Sequence, residues 1–228
     1  MKIYQSLYPP VPLRDESIFT YLFQTRFYEH PPSQAAYIDS ATGKTVSRAE
    51  LKDLALSVGW SLRNELPKLG GVSLVRGDVV MIFSRNSIAW PIMLYGGIAA
   101  GLRMTLANSA HTPRELLYQW QNSGAKAVFV QPALLPVALE MFKLLNMSLT
   151  EAKQRIIIAD FGAPLAPSFK EYLVLTDLFG KGKLDQEEKF DGAQNQETTL
   201  LCYSSGTTGR SKGVEVNSCS LLLCLAIR

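Results

Sequence analysis

The 228 residues predict an α/β fold: a mostly parallel sheet flanked by helices. Two observations lead there. Short runs rich in Val, Ile and Phe alternate five or six times with longer segments of helical periodicity. The run VVMIF, moreover, is apolar without alternation, the pattern of a strand covered on both faces.

Each element follows from its own signals. Asp15 to Glu29 places Ile18, Leu22 and Phe19, Phe23, Phe27 at three- and four-residue spacings, which predicts a helix. AAYID and KTVS flank the turn-rich SATG and predict a short hairpin. Ser47-Arg48-Ala49-Glu50 has the form of a capping box. The helix it opens would bury Leu51, Leu54, Ala55, Val58, Leu62 and Leu66. Arg76-Gly77-Asp78 turns into the VVMIF strand, and Asn86 is placed to cap a helix reaching Ile98, with Pro91 distorting its first turns. RMTL returns as a strand. Thr112-Pro113-Arg114-Glu115 starts a helix with a cap, an early proline and a glutamate at the third position; it runs to Asn122 and Gly124 closes it. AKAVFV, ALLPVALEMFKLL and RIIIAD then give strand, helix and strand. Phe179 to Glu197, rich in charge, Gly and Gln, reads as a surface linker before the strand TTLLCY.

Composition excludes several classes of protein. Hydrophobic residues are 47% and charged residues 19%, as in ordinary globular chains. A net charge of +3 with no block of like charge is too small to argue for a nucleic-acid or membrane surface. The N-terminus has no long apolar core of a secretory signal. The apolar tract Ala89–Leu106 is interrupted by Pro91, three glycines and Arg103, so a helix followed by a strand is expected there and no transmembrane segment. Cys202, Cys219 and Cys224 have neither disulfide nor zinc spacing and are expected to pack as small hydrophobes. That usage fits an intracellular, cytoplasmic setting, and leaves a peroxisome or a membrane surface open.

The stretch LLCYSSGTTGRSKGVEV carries the chemistry. It places a loop at the carboxyl end of TTLLCY, where open α/β sheets bind ligands. Gly206 and Gly209 allow backbone N–H groups to approach an anion, Ser204, Ser205, Thr207 and Thr208 add hydroxyl donors, and Lys212 adds a full charge, with Arg210 nearby. These are the makings of a polyphosphate cradle; the plainer alternative is a solvated turn between two strands. A Walker A loop fails at two positions, because Ser211 precedes Lys212 and Gly213 follows it. Gly-x-Gly-x-x-Gly is absent, and neither Ser204 nor Ser205 stands at the centre of a Gly-x-Ser-x-Gly elbow.

Tyr203-Ser204-Ser205-Gly206-Thr207-Thr208-Gly209, followed by Lys212-Gly213, closely resembles the phosphate loop of the adenylate-forming (AMP-binding) enzymes. These include acyl-CoA synthetases, 4-coumarate–CoA ligases, luciferases and peptide-synthetase adenylation domains. Ser211 stands where many members carry Pro. TGKTVSRAELKDLALSVGWSLRNEL, RGDVVMIFSRNSIAWPIMLYGGIAAG and LANSAHTPRELLYQWQNSGAKAVFV are similar to the family's opening regions, with Ser109 replacing a common Pro. The 4-coumarate–CoA ligase-like and medium- to long-chain acyl-CoA synthetase branches look nearest.

The resemblance implies that residues 1–228 are the N-terminal portion of an AMP-binding domain. It implies ATP with Mg2+ and coenzyme A as substrates, an aromatic or fatty carboxylic acid, no permanently bound cofactor and no nucleic acid. Ser204, Ser205, Gly206, Thr207, Thr208, Gly209 and Lys212 would hold the ATP phosphates. No metal site is expected in the chain itself. The family usually continues with Ser/Thr-His-x-Asn; here Asn217-Ser218-Cys219-Ser220 stands there, and neither a Tyr-Gly-x-Thr-Glu segment nor the mobile lysine domain occurs among the 228 residues. No catalytic residue is therefore expected in this chain, and the alternative to a ligase is a truncated, catalytically inactive fragment with at most weak nucleotide binding, poorly soluble or partly folded.

Several other residues invite a sharper role. His111 is open to reading as a base or ligand, but packing is preferred. Asp78 and Asp160 are expected at a turn and a strand end, and Trp60, Trp90 and Trp120 in the core.

Overall fold

The structure is a computed structural model and describes residues 15–24, 31–162, 165–190, 192–204 and 211–226. Helix α1 (Ile18–Phe23) is capped by Ser17, whose hydroxyl accepts from Thr20 N–H. Phe19 of the aromatic stripe is buried and stacks 4.7 Å from Phe23, while Phe27 and the rest of the expected helix beyond Gln24 lie outside the described residues. Strands β1 (Ala35–Ile38) and β2 (Thr45–Ser47) form the expected antiparallel hairpin.

Helix α2 (Arg48–Asn64) begins where Ser47 Oγ accepts from Glu50 N–H, one half of the expected box. Its buried face holds Leu51, Ala55, Val58 and Leu62 as expected, with Leu56 fully inside and Leu54 only partly so. Strand β3 (Val79–Phe83) is buried at every position. Helix α3 (Ala89–Ala99) corrects the expected start: Asn86 is no cap, and the helix begins at Ala89. That start places Pro91 in the first turn, where backbone N–H groups have no intrahelical acceptor and a missing one costs little. Gly96 and Gly97 let α3 nest closely, because a Cβ would come within 2.6 Å of Val58 on α2 at one and 2.1 Å of Met104 at the other.

After β4 (Arg103–Ala107), helix α4 (Pro113–Ser123) shows the complete Thr112–Glu115 capping box and ends at Gly124 in the left-handed conformation. Strand β5 (Ala125–Val130) leads through a 3-10 turn into α5 (Leu135–Leu144). A short α6 (Leu149–Lys153), capped reciprocally by Ser148 and Glu151, precedes β6 (Ile156–Ile158) and the two-residue β7 (Leu173–Val174). Strands β8 (Thr198–Ser204) and β9 (Lys212–Asn217) lead into α7 (Ser218–Ala226), where Asn217 Oδ1 accepts from Ser220 N–H. Ser218 is fully buried, its hydroxyl 3.3 Å from that of Thr199.

Seven of these strands form one sheet in the order β7-β6-β5-β3-β4-β8-β9. All neighbours pair in parallel except β8 and β9. On one face, Val80, Ile82 and Met104 meet α2 and α3; on the other, Met81, Phe83 and Val128 meet α4 and α5. Trp120 packs edge-on to Phe142 at 5.0 Å, in the core as expected, whereas Trp60 and Trp90 are only partly covered.

The segment 179–197 corrects the expectation of a surface linker. Glu187 and Phe190 are 2% and 1% exposed. Glu187 accepts from Ser17 Oγ at 3.1 Å and Gln24 Nε2 at 3.1 Å, and also from Thr20, which ties α1 down. Arg76 bonds Glu188 at 2.9 Å and Glu197 at 3.2 Å, and lies 4.5 Å over the Phe190 ring. Glu187, Glu188 and Glu197 are thus partnered to the body of the domain, while Lys181 and Asp185 are exposed.

Candidate functional site

The sheet order sets β4 between β3 and β8, so the carboxyl ends of the three strands lie side by side. A cleft of about 580 Å³ lies there. Ser84, Arg85 and Asn86 enter it after β3, Asn108, Ser109 and His111 after β4, and Gln119 from α4; Tyr203 and Ser211 close it on the β8–β9 side. Volumes of this size suit small organic ligands.

The walls of this cleft are held by backbone-directed bonds. Arg85 N–H donates to Gln131 Oε1 at 3.0 Å. Asn108 Oδ1 accepts from Ala110 N–H at 3.0 Å, an Asx turn that leads into the α4 cap. His111 lies 4.0 Å from the Glu115 carboxylate and is partly covered, lining the cleft rather than the core. Glu115 itself is held below the usual carboxylate range by hydrogen bonds from the Thr112 backbone and then its side chain, with His111 adding a smaller pull. Gln119 is almost fully buried; its Nε2 donates to Thr105 Oγ1 at 2.9 Å and to Leu106 O at 3.1 Å. Its Oε1 has no hydrogen-bond partner among the described residues.

Two of the expected phosphate-binding residues are placed by the structure. Ser204 ends β8, Lys212 starts β9, and the two are directly paired in the ladder. Both are exposed, and no bond or ion pair of the Lys212 ammonium is formed with the described residues. Ser205, Gly206, Thr207, Thr208, Gly209 and Arg210 lie outside the described residues. Burial raises the Cys202 thiol, and burial with Tyr118 alongside raises the Tyr203 hydroxyl. Cys202 and Cys219 are partly covered; the Cys224 side chain lies outside the described ones. Asp78 pairs with Lys126 at 2.7 Å and accepts from Val75 N–H, a turn role as expected. Among the described residues no group of three or more His, Cys, Asp or Glu is positioned to hold a metal ion, and no helix is long and apolar enough to cross a membrane.

Sequence reasoning missed Tyr118, Gln119 and Asn122, which face the stems of the loop. One signal was available: Gln119 stands between Leu116 and Trp120 on the apolar stripe of α4, where an amide must find partners inside.

The fold is a mostly parallel α/β sheet in which a Ser/Thr- and Gly-rich stretch of sequence follows β8. Comparison with known families makes it specific: the AMP-binding enzyme model matches residues 23–225, and the chain belongs to that family. It is 30% identical over 231 residues to 4-coumarate–CoA ligase-like 3 of Oryza sativa subsp. japonica, covering 96% of this chain and 36% of that protein. It is also 30% identical over 193 residues to 4-coumarate–CoA ligase-like 8 of Arabidopsis thaliana, covering 85% and 32%. The chain spans about a third of the length of these curated relatives. Among solved structures, a red-emitting luciferase from Phrixothrix hirtus superposes with a TM-score of 0.71 at 22% identity, over 94% of this chain and 49% of that one, a likeness of fold.

Proposed function

We propose that this chain supplies the ATP phosphate-binding part of a carboxylate–CoA ligase, and that residues 1–228 correspond to the N-terminal portion of an AMP-binding domain. The observation that carries this is the pairing of Ser204 with Lys212 at the mouth of the loop, beside a cleft over three strand ends. In the reaction so proposed, a carboxylate oxygen attacks the α-phosphorus of MgATP, giving an acyl-adenylate and pyrophosphate. The thiol of coenzyme A then displaces AMP. Ser204, Ser205, Thr207 and Thr208 donate to phosphate oxygens, Gly206 and Gly209 give backbone approach, and Lys212 neutralises charge on the departing pyrophosphate. That is electrostatic stabilisation and positioning rather than bond making. Mg2+ arrives with the nucleotide. The acid is aromatic or fatty, in keeping with the 4-coumarate–CoA ligase-like relatives.

As an isolated polypeptide the 228 residues bind polyphosphate without forming acyl-adenylate, because no Tyr-Gly-x-Thr-Glu segment and no late catalytic lysine domain occur among them. Calorimetric titration with ATP and with inorganic tripolyphosphate tests the first half. Lys212→Ala should weaken both ligands about tenfold or more, the scale of a lost charge-assisted contact. Equal affinity in the variant refutes the assignment. Carboxylate-dependent pyrophosphate exchange by the same polypeptide would refute the second half.

A further inference from the structure

The first four residues of β9 are exposed, so burial does little to hold Lys212 where it stands. What holds that end of the hairpin is a set of bonds from one face of α4. The Tyr118 hydroxyl donates to Ser211 O at 3.0 Å, immediately before Lys212. One helical turn on, Asn122 Oδ1 accepts from the Tyr203 hydroxyl at 2.6 Å, immediately before Ser204. Between them, Gln119 bonds Thr105 Oγ1, which donates in turn to Leu201 O of β8 at 3.3 Å. Gly213 leaves the space these groups need: a Cβ there would lie 3.1 Å from Tyr203 Cζ, 3.2 Å from its hydroxyl and 3.5 Å from Asn122 Oδ1.

We propose that Tyr118, Asn122, Tyr203 and Gly213 form a brace from α4 that positions Ser204 and Lys212 for a polyphosphate ligand without touching it. The two tyrosines act in opposite senses, one donating from the helix to the β9 stem and one from the β8 stem to the helix. Each stem therefore has an anchor within one residue of a ligand-facing group. Two strand ends held only by their own ladder fray, and the entropy of ordering them would then be lost from ligand affinity. The brace rests on the phosphate-binding role of Ser204 and Lys212, and its test separates the two.

The experiment uses the 228-residue chain with Tyr118→Phe, Asn122→Ala, Asn122→Asp and Gly213→Ala, and Lys212→Ala as the reference for direct contact. Amide hydrogen exchange is followed in peptides covering 200–204 and 211–217, and affinity is measured with inorganic tripolyphosphate. Tyr118→Phe, Asn122→Ala and Gly213→Ala should each speed exchange in those two peptides about fivefold or more, with β3 and β5 unchanged, and weaken tripolyphosphate about three- to tenfold. Asn122→Asp keeps the acceptor oxygen and should retain the protection, a rescue that loss of packing alone would not give. Exchange in the stems that is unchanged by the variants, equally fast in the parent chain, or accelerated throughout β3 and β5 overturns the brace. So does tripolyphosphate affinity that falls in Lys212→Ala but in none of the brace variants. If the parent chain binds no tripolyphosphate, or binds it independently of Lys212, the phosphate role fails and the exchange data alone decide whether the brace exists.

Discussion

Gly97 of helix α3 lies against Met104 of strand β4, and replacing it by alanine gives a sharp test of that packing. In an exposed helix interior, Gly→Ala stabilises by about 0.5–1 kcal/mol. Here the new Cβ would lie 2.1 Å from Met104 Sδ and 2.8 Å from its Cε. Nonbonded heavy atoms settle at about 3.5–4.0 Å, so more than an ångström of overlap must be relieved. Met104 is fully buried against α3, and its thioether cannot swing into solvent. Overpacking of this kind costs about 1–3 kcal/mol. Set against the helix gain, the net loss should be about 0–2.5 kcal/mol, or up to about 10 °C in melting temperature for a chain of this size. Gly97→Ala would then be measured by urea and thermal unfolding beside Met104→Val and the double variant. Shortening Met104 opens the space that the new methyl needs, so the double variant should be about 1 kcal/mol more stable than the two single costs added. A melting temperature raised by Gly97→Ala, or strict additivity in the double variant, would refute the close approach of α3 and β4.

Three further outcomes follow from the same structure. The carboxyls of Glu115 and Glu151 are held below their ordinary value of 4.5, Glu115 first by the Thr112 backbone N–H and Glu151 first by the Ser148 hydroxyl. A depressed carboxyl supports the fold fully above its unfolded value and loses that support as pH falls through the lower folded one. Exchange at the first turns of α4 and α6 should therefore quicken below about pH 4.3, and Thr112→Ala should remove that dependence from α4; a pH-independent first turn would contradict the capping boxes. Arg76→Ala should expose the 179–197 segment to trypsin and cost about 1–2 kcal/mol, summing partly exposed ion pairs and a cation–π contact. Arg76→Lys should recover little, because the two carboxylates and the Phe190 ring are met by separate parts of one planar guanidinium. Val214, 48% exposed on the outer strand β9, invites strand-to-strand pairing between copies. Val214→Lys should lower the self-associated fraction in sedimentation velocity, and an unchanged distribution would place self-association elsewhere.

How far the sequence could be read depended on whether a residue's partner lay nearby in the chain. Thr112-Pro113-Arg114-Glu115 announced its helix because all the groups of a capping box lie within four residues, and VVMIF announced a doubly covered strand because each of its residues must be apolar. The same logic marked the stretch after TTLLCY, whose glycines and hydroxyls form a motif contiguous in the chain. Ser148 to Glu151 carried an equally local signal for α6 and went unread. The misreadings fall where the deciding contact is long-range. Asn86 is the exception, a local misreading: it had the chemistry of a cap, but α3 begins at Ala89 with no side-chain cap. Glu187, Glu188 and Glu197 suggested a solvated linker, and only the fold brings Ser17, Arg63 and Arg76 to meet them. The α4 brace belongs to this second class. Tyr118 and Asn122 look like ordinary exposed helix residues until the crossover sets α4 beside the β8–β9 hairpin, where their partners Ser211 and Tyr203 lie 93 and 81 positions away in the chain. The residues of the Ser/Thr- and Gly-rich motif were thus written in one stretch, while Tyr118 and Asn122, which bond the strand ends on either side of it, were dispersed, as expected when a motif is local and positioning is a property of the packed sheet.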